Sequence, residues 1–282
     1  MHHSLENKKA NRLKTVSNLN TKLSIYILFF LSVYPLFGQD ATNFISRKPT
    51  TTSNADFKAS LISHAKLFLG QRYEAGTLDV NKDESLVINL NGMDCITFVE
   101  YAMAMESCPD EACIASAVLN LRYRNGQLAD YSSRLHYLSE WLFQLLSNGP
   151  YSKILGDGEH CFEPELNFMS THPHLYSALQ NNSQMVKAIA SAEAGFNAKK
   201  IGFPYFSRTS FKRADLKHGD ILAFKSKTKG LDFDHVGFAV RDGNQMKLLH
   251  ASLEKKQVVI SNETVFDYLN RVKKYDGVVV IR

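Results

Sequence analysis

The sequence predicts an α+β domain, with helices in the first half packed on a C-terminal antiparallel sheet. Apolar residues recur at helical spacing between Phe57 and Ala194, whereas beyond Phe203 they gather in short runs separated by turn signals. Four cysteines in 282 residues are too few for a disulfide-built scaffold, so the core must come from packing of these elements.

The amino terminus stands apart from this pattern. Lys8, Lys9, Arg12, Lys14 and Lys22 precede an apolar run from Leu23 to Phe37, and Gly38-Gln39-Asp40 follows, the layout of a signal peptide over residues 1–39. The run is shorter than the about 20 apolar residues of a comfortable span, and no Cys stands near the cleavage region to receive a lipid. A periplasmic or secreted protein with no stable membrane span after cleavage is expected. Residues 40–55, rich in Thr, Ser and Asn, read as a flexible linker, and residues 56–282 as a single domain. The formal charge of +5 belongs mostly to the leader, which holds five Lys/Arg and one Glu; the remainder keeps 28 basic and 27 acidic residues. With no sustained basic stripe after the leader, nucleic acid is excluded as a partner.

Phe57, Leu61, Ile62, Ala65, Leu67 and Phe68 mark a helix that Gly70 can end. Leu86 to Leu90 is a short extended candidate, and Asp94 a helix N-cap candidate. Helices are expected from about Cys95 to Glu106, Glu111 to Leu121, Leu135 to Leu146 and Ser183 to Ala194. The stretch from Ser147 to His174, with Gly149-Pro150, Gly156-Asp157-Gly158 and His172-Pro173, reads as a long ordered loop or lid. Strands are expected at Ile221 to Phe224, Val236 to Val240, Lys247 to Ala251, Val258 to Ser261 and Val278 to Ile281. Trp141, the sole Trp, reads as core. Cys108 and Cys113, across Cys-Pro-Asp-Glu-Ala-Cys, are the plausible local disulfide pair, with two simple thiols as the alternative.

The chemistry starts at Cys95. A Cys in the first turn of a helix meets unpaired backbone N–H groups and the positive end of the macrodipole, which favour a thiolate and can hold an oxyanion. The other reading of such a Cys is a small buried apolar residue. Two histidines join it through a hairpin: Arg241-Asp242-Gly243-Asn244 contains Asp-Gly, a type I′ signal. If Asp242 and Gly243 form the loop, His235 and His250 fall directly opposite each other with both rings on one face of the sheet. Such a pair could bind metal, be structural, or act as a base and its orienter. The remaining candidates, His160, Cys161, His172 and His174, show no compact ligand spacing, so neither metal nor cofactor is expected. With Cys95, the pair would complete a nucleophile, a base and an orienting group.

Three blocks in this order resemble the NlpC-like branch of the papain-like cysteine peptidases: Met93-Asp94-Cys95-Ile96-Thr97-Phe98-Val99-Glu100, Asp234-His235-Val236-Gly237-Phe238 and Leu249-His250-Ala251-Ser252. Lys217-His218-Gly219-Asp220-Ile221-Leu222-Ala223-Phe224 is similar to the strand leading into their catalytic sheet. Where that family more often has Ser and Gly after the Cys, this chain has Ile96-Thr97-Phe98; this and Asp130-Tyr131-Ser132-Ser133-Arg134-Leu135-His136-Tyr137 resemble a narrower group, the N-acetylmuramoyl-L-alanine amidase-like proteins. The resemblance implies a papain-like fold and hydrolysis of the amide between N-acetylmuramic acid and L-alanine in peptidoglycan or muropeptides. It assigns Cys95 as nucleophile, His235 as base and His250 as its orienter. A stem-peptide endopeptidase with the same three residues and a non-catalytic wall-binding module are the competing readings. For substrate binding, Arg134 is the expected carboxylate partner, through its bidentate fork, and Tyr131 a packing surface for sugar or peptide.

Overall fold

The structure is a computed structural model that describes residues 45–48 and 56–282; the expected leader and most of the expected linker lie outside the described residues. Of that linker, Ile45 to Lys48 is described, and the Lys48 ammonium donates to the Cys108 carbonyl.

Helix α1 (Phe57–Ala65) is capped by Asp56, whose side chain accepts from the Lys58 N–H at 3.2 Å. It continues as a 3-10 turn over Lys66–Phe68 and gives way at Gly70, where φ is +84°. Strands β1 (Arg72–Tyr73) and β2 (Gly92–Met93) then pair in parallel. Between them, Leu86, Ile88 and Leu90 are buried in alternation as an extended segment requires, yet no ladder forms. Side chains satisfy this backbone instead: the Asn89 N–H donates to the Tyr101 hydroxyl at 3.0 Å and the Val87 carbonyl accepts from Arg122. Period-two burial marks an extended chain; only a neighbouring strand makes it a sheet.

Helices α2 (Cys95–Ser107) and α3 (Glu111–Arg122) are joined by the Cys108–Cys113 disulfide, Cα atoms 5.3 Å apart. Helix α4 (Leu138–Asn148) begins three residues later than its apolar pattern suggests, because Leu135 donates its N–H to the Arg122 carbonyl at 2.8 Å and Arg134 forms a bridge with Tyr123. Trp141 is buried on it. The stretch expected as a loop carries strands β3 (Ile154–Leu155) and β4 (Cys161–Phe162) and the short helix α5 (Phe168–Thr171), followed by helix α6 (Ser183–Asn197). Two-residue strands and a single helical turn leave too little periodicity to read from sequence.

The second half builds the sheet: β5 (Phe203–Pro204), β6 (Phe206–Ser207), β7 (Ile221–Ser226), β8 (Phe233–Asp242), β9 (Gln245–Ser252), β10 (Gln257–Thr264), helix α7 (Val265–Arg271) and β11 (Tyr275–Ile281). All five expected strands are present. The spatial order is β2-β1-β10-β9-β8-β7-β11-β3, with β6 also on β11 and β4 paired separately with β5. Apart from β1 with β2, the pairings are antiparallel. Helix α2 packs on β8 and β9, where Phe98 meets Phe238 edge to face at 5.8 Å and Phe68 at 6.2 Å. Helix α7 brings Tyr268 and Leu269 into a second cluster with Leu222, Phe224, Ala239 and Leu248. Each such fully buried apolar side chain contributes about 1.5–3 kcal/mol. No helix among the described residues is long and apolar enough to cross a membrane.

Candidate active site

Cys95 is the first residue of α2, and the turn that carries it is locked by a capping box. Asp94 accepts from the Thr97 N–H at 2.9 Å, while the Thr97 hydroxyl accepts from the Asp94 N–H at 2.9 Å. Two orphan donors are satisfied reciprocally, which holds the first turn and the Cys95 side chain in one place. Cys95 keeps part of its surface open. The backbone N–H of Val236, the residue after His235 on β8, lies close enough to favour the thiolate form. Helix end and sheet are thereby brought together at the residues singled out from the sequence.

The two histidines meet, by a register different from the expected one. Asp242 pairs with Gln245 and Phe238 with Leu249, so the hairpin loop is Gly243-Asn244 rather than Asp242-Gly243. Gly243, with φ of +57°, takes the first central position of the turn, where type II′ turns place glycine. The slip is two residues along the partner strand, and a two-residue slip returns every side chain to its own face. His250 therefore faces Gly237, not His235, and lies diagonal to His235 on the same side. A Cβ at Gly237 would stand 2.9 Å from His250 Cβ and 2.8 Å from the Leu249 carbonyl oxygen. The glycine makes room for the second imidazole. Nε2 of His235 lies 2.6 Å from Nδ1 of His250, with ring centroids 4.8 Å apart and planes at 81°.

The electrostatics also differ from the expectation of a thiolate. Burial pushes the Cys95 thiol up to about 12; Asp94 raises it further, outweighing the backbone N–H groups of Val236 and Cys95 and the charge of Lys274. His235 is held well below the usual imidazole range by burial, His250 and Lys274, and His250 falls to about 4 chiefly through burial. The helix end favours an anion, but desolvation is the larger effect here. Cys95 and His235 rest as neutral thiol and neutral imidazole.

Three tyrosines enclose the group. The Tyr275 ring lies nearly parallel to His235, at 13° and 6.4 Å, and Tyr268 stands edge-on to His250 at 5.3 Å. Tyr73, on β1, is close enough that the charges of Cys95 and Asp94 raise its phenol, adding to burial and keeping it protonated. Sequence reading missed all three. Tyr73 lies nearly two hundred residues before Tyr268 and Tyr275, and a tyrosine in an apolar run reads as core.

The expected substrate residues stand elsewhere. Arg134 is 7% exposed, and its fork is engaged inside the protein: with Glu84 at 2.7 and 3.1 Å, Asp79 at 2.9 Å and the Leu78 carbonyl at 3.3 Å. It also lies 4.9 Å over the ring of the largely buried Tyr131. Both are mostly covered, and together with the segment from Leu78 to Glu84, part of the connection between β1 and β2, they line a surface cleft. Of the remaining histidines considered, His160 lies 2.8 Å from Asp157 and His172 stacks on Phe168 at 4.3 Å. Among the described residues no group of three or more His, Cys, Asp or Glu is placed to hold a metal.

In class, this is a mixed α+β protein with seven α-helices among the described residues and a large, mostly antiparallel sheet. The chain belongs to the N-acetylmuramoyl-L-alanine amidase-like family, whose model matches residues 63–278. A solved N-acetylmuramoyl-L-alanine amidase from Bacteroides uniformis is 30% identical, with 81% of this chain and 99% of the other covered and a TM-score of 0.75. A Bacteroides fragilis protein named a candidate xylanase is 34% identical over 77% of this chain and 98% of its own, with a TM-score of 0.71. A Legionella pneumophila protein, 16% identical over 80% of this chain and 89% of its own at a TM-score of 0.61, shares the fold. No protein of curated function matches the chain.

Proposed function

We propose that the protein is an exported, cysteine-dependent N-acetylmuramoyl-L-alanine amidase of the papain-like, NlpC-like kind, acting on peptidoglycan or its muropeptide fragments. The observation that carries this reading is the meeting of the Cys95 sulfur with the Val236 N–H beside an imidazole whose Nε2 is already engaged by His250. Family membership supports the choice of bond. A nucleophile-bearing helix before a base-bearing sheet supports the papain-like placement. The Cys108–Cys113 disulfide supports an oxidising compartment outside the cytoplasm.

The ring nitrogens assign the protons. With Nε2 of His235 directed at His250, Nδ1 is the nitrogen left to take the thiol proton, so the resting proton sits on Nε2 and donates to His250 Nδ1. His250 then carries its own proton on Nε2. As Cys95 sulfur attacks the lactyl carbonyl, its proton passes to His235 Nδ1, and the imidazolium is steadied by the hydrogen bond to His250. The Cys95 N–H and the protonated Tyr73 hydroxyl are donors for the developing oxyanion. Collapse breaks the amide C–N bond, and His235 returns the proton to the departing L-alanine amine. Water, deprotonated by His235, hydrolyses the thioester, giving the lactyl carboxylate and the free thiol.

Glycoside hydrolysis, the activity in the name of the Bacteroides fragilis relative, runs on two carboxyl groups flanking the bond. The groups gathered here are a thiol and two imidazoles. Digestion of a defined muropeptide tests the reading: a new muramic lactyl carboxylate and a free L-alanine amine are expected. A product in which L-alanine and D-glutamate stay attached to the muramic lactyl group would replace it with an endopeptidase, and turnover unchanged in Cys95→Ala would remove the mechanism.

A further inference from the structure

Two cations stand near the paired histidines, and they differ in what they have left to give. Arg271, whose charge reaches His250, is spent: it donates to Glu263 at 2.7 and 2.9 Å and to Glu254 at 3.0 Å. Lys274 is not. Its side chain is 55% exposed, its ammonium lies 5.3 Å over the Tyr275 ring, and its nearest carboxylate oxygen, on Asp234, is 3.8 Å away, beyond hydrogen-bond reach. Its charge is felt at both Cys95 and His235, which places it at the rim of the reacting groups. Asp234, next to His235, has a second oxygen, Oδ2, buried without any hydrogen-bond partner. That oxygen is closed to solvent, so the open side of the pair is the Lys274 ammonium.

On the amidase reading, we infer that Lys274 is the carboxylate contact of the subsite for the peptide beyond the scissile amide, its ammonium kept beside His235 by Asp234 Oδ1 and the Tyr275 ring. A half-exposed ammonium that makes no side-chain hydrogen bond at this place fits a peptide that presents a carboxylate near the cleaved amide. This is the carboxylate-binding role expected of Arg134, moved to a residue whose donors are free. The Tyr275 ring beneath Lys274 and alongside His235 sets the distance between that contact and the reacting carbonyl.

The test compares N-acetylmuramoyl-L-alanyl-D-glutamate with its diamide, in which both glutamate carboxylates are carboxamides, using wild type and Lys274→Met. For the carboxylate substrate, Lys274→Met should raise KM about tenfold or more, as loss of a hydrogen bond to a charged group does, with kcat changed far less. For the amide substrate the two enzymes should differ less than twofold. Calorimetric binding of both ligands to Cys95→Ala, with and without Lys274→Met, should show the same contrast without turnover. Equal losses on both substrates, or no loss on either, would overturn the assignment. Hydrolysis of neither by wild type would instead reject the amidase reading on which the assignment rests.

Discussion

His235 Nε2 lies 2.6 Å from His250 Nδ1 although the two residues are not cross-strand partners, because His250 faces Gly237. The contact is diagonal, and it fixes which nitrogen of His235 is available as base. Replacing His250 by Ala removes the acceptor that selects this tautomer and should lower kcat by about 10²–10⁴, the range of general-base catalysis. His250→Asn, whose amide oxygen can accept from Nε2, should retain more activity than the alanine variant. Equal kcat in both variants and wild type would sink the orienting role.

Gly237 should tolerate no side chain. A methyl group there meets His250 Cβ at 2.9 Å, the Leu249 carbonyl at 2.8 Å and Leu248 Cδ1 at 3.0 Å. Gly237→Ala should cost about 1–3 kcal/mol by overpacking and displace the imidazole from His235. Thermal unfolding and kcat measured together check this: both should fall, and a fall in stability with unchanged kcat would separate the glycine from the site.

The resting proton arrangement predicts the pH dependence of thiol modification. With the thiol near 12 and His235 well below the usual range, the thiolate fraction is small at neutral pH and grows as pH rises. Alkylation of Cys95 by iodoacetamide, with Cys161 removed as Cys161→Ser, should accelerate continuously from pH 6 through pH 9 on the free enzyme, by about tenfold per pH unit in the range below the pKa. A plateau already reached below pH 7 would show a preformed thiolate–imidazolium pair and contradict this electrostatic picture.

Glu100 and Arg122 form a buried ion pair, at 2.7 and 2.9 Å, between α2 and α3, and Arg122 also donates to the Val87 carbonyl. Arg122→Met leaves the carboxylate alone and should destabilise the protein by about 3–5 kcal/mol in denaturant unfolding. Glu100→Gln combined with Arg122→Met should recover part of that loss, since no charge is then left buried without a partner. A double variant less stable than Arg122→Met would contradict the account.

Much of the frame was legible because its causes are local. The five long strands are apolar runs cut by turns, and Asp94 precedes the helix it caps. Cys95 at the helix end followed from that cap alone. The shared face of His235 and His250 was legible too, since a slip of two residues leaves side-chain parity intact. The extended segment at Leu86 to Leu90 was legible as extended and no further: alternation is written in the segment, but a ladder partner is not.

By itself, then, the sequence determined on which kind of element each residue proposed for the chemistry stands, because helix ends, turns and alternation depend on near neighbours. Tertiary structure decided the partner of each. The loop settled at Gly243-Asn244, Arg134 was drawn to Glu84 and Asp79, at 50 and 55 residues' separation, and burial overrode the helix end at the Cys95 thiol. Charges and hydrogen bonds act over ångströms of space, and chain separation does not record that distance.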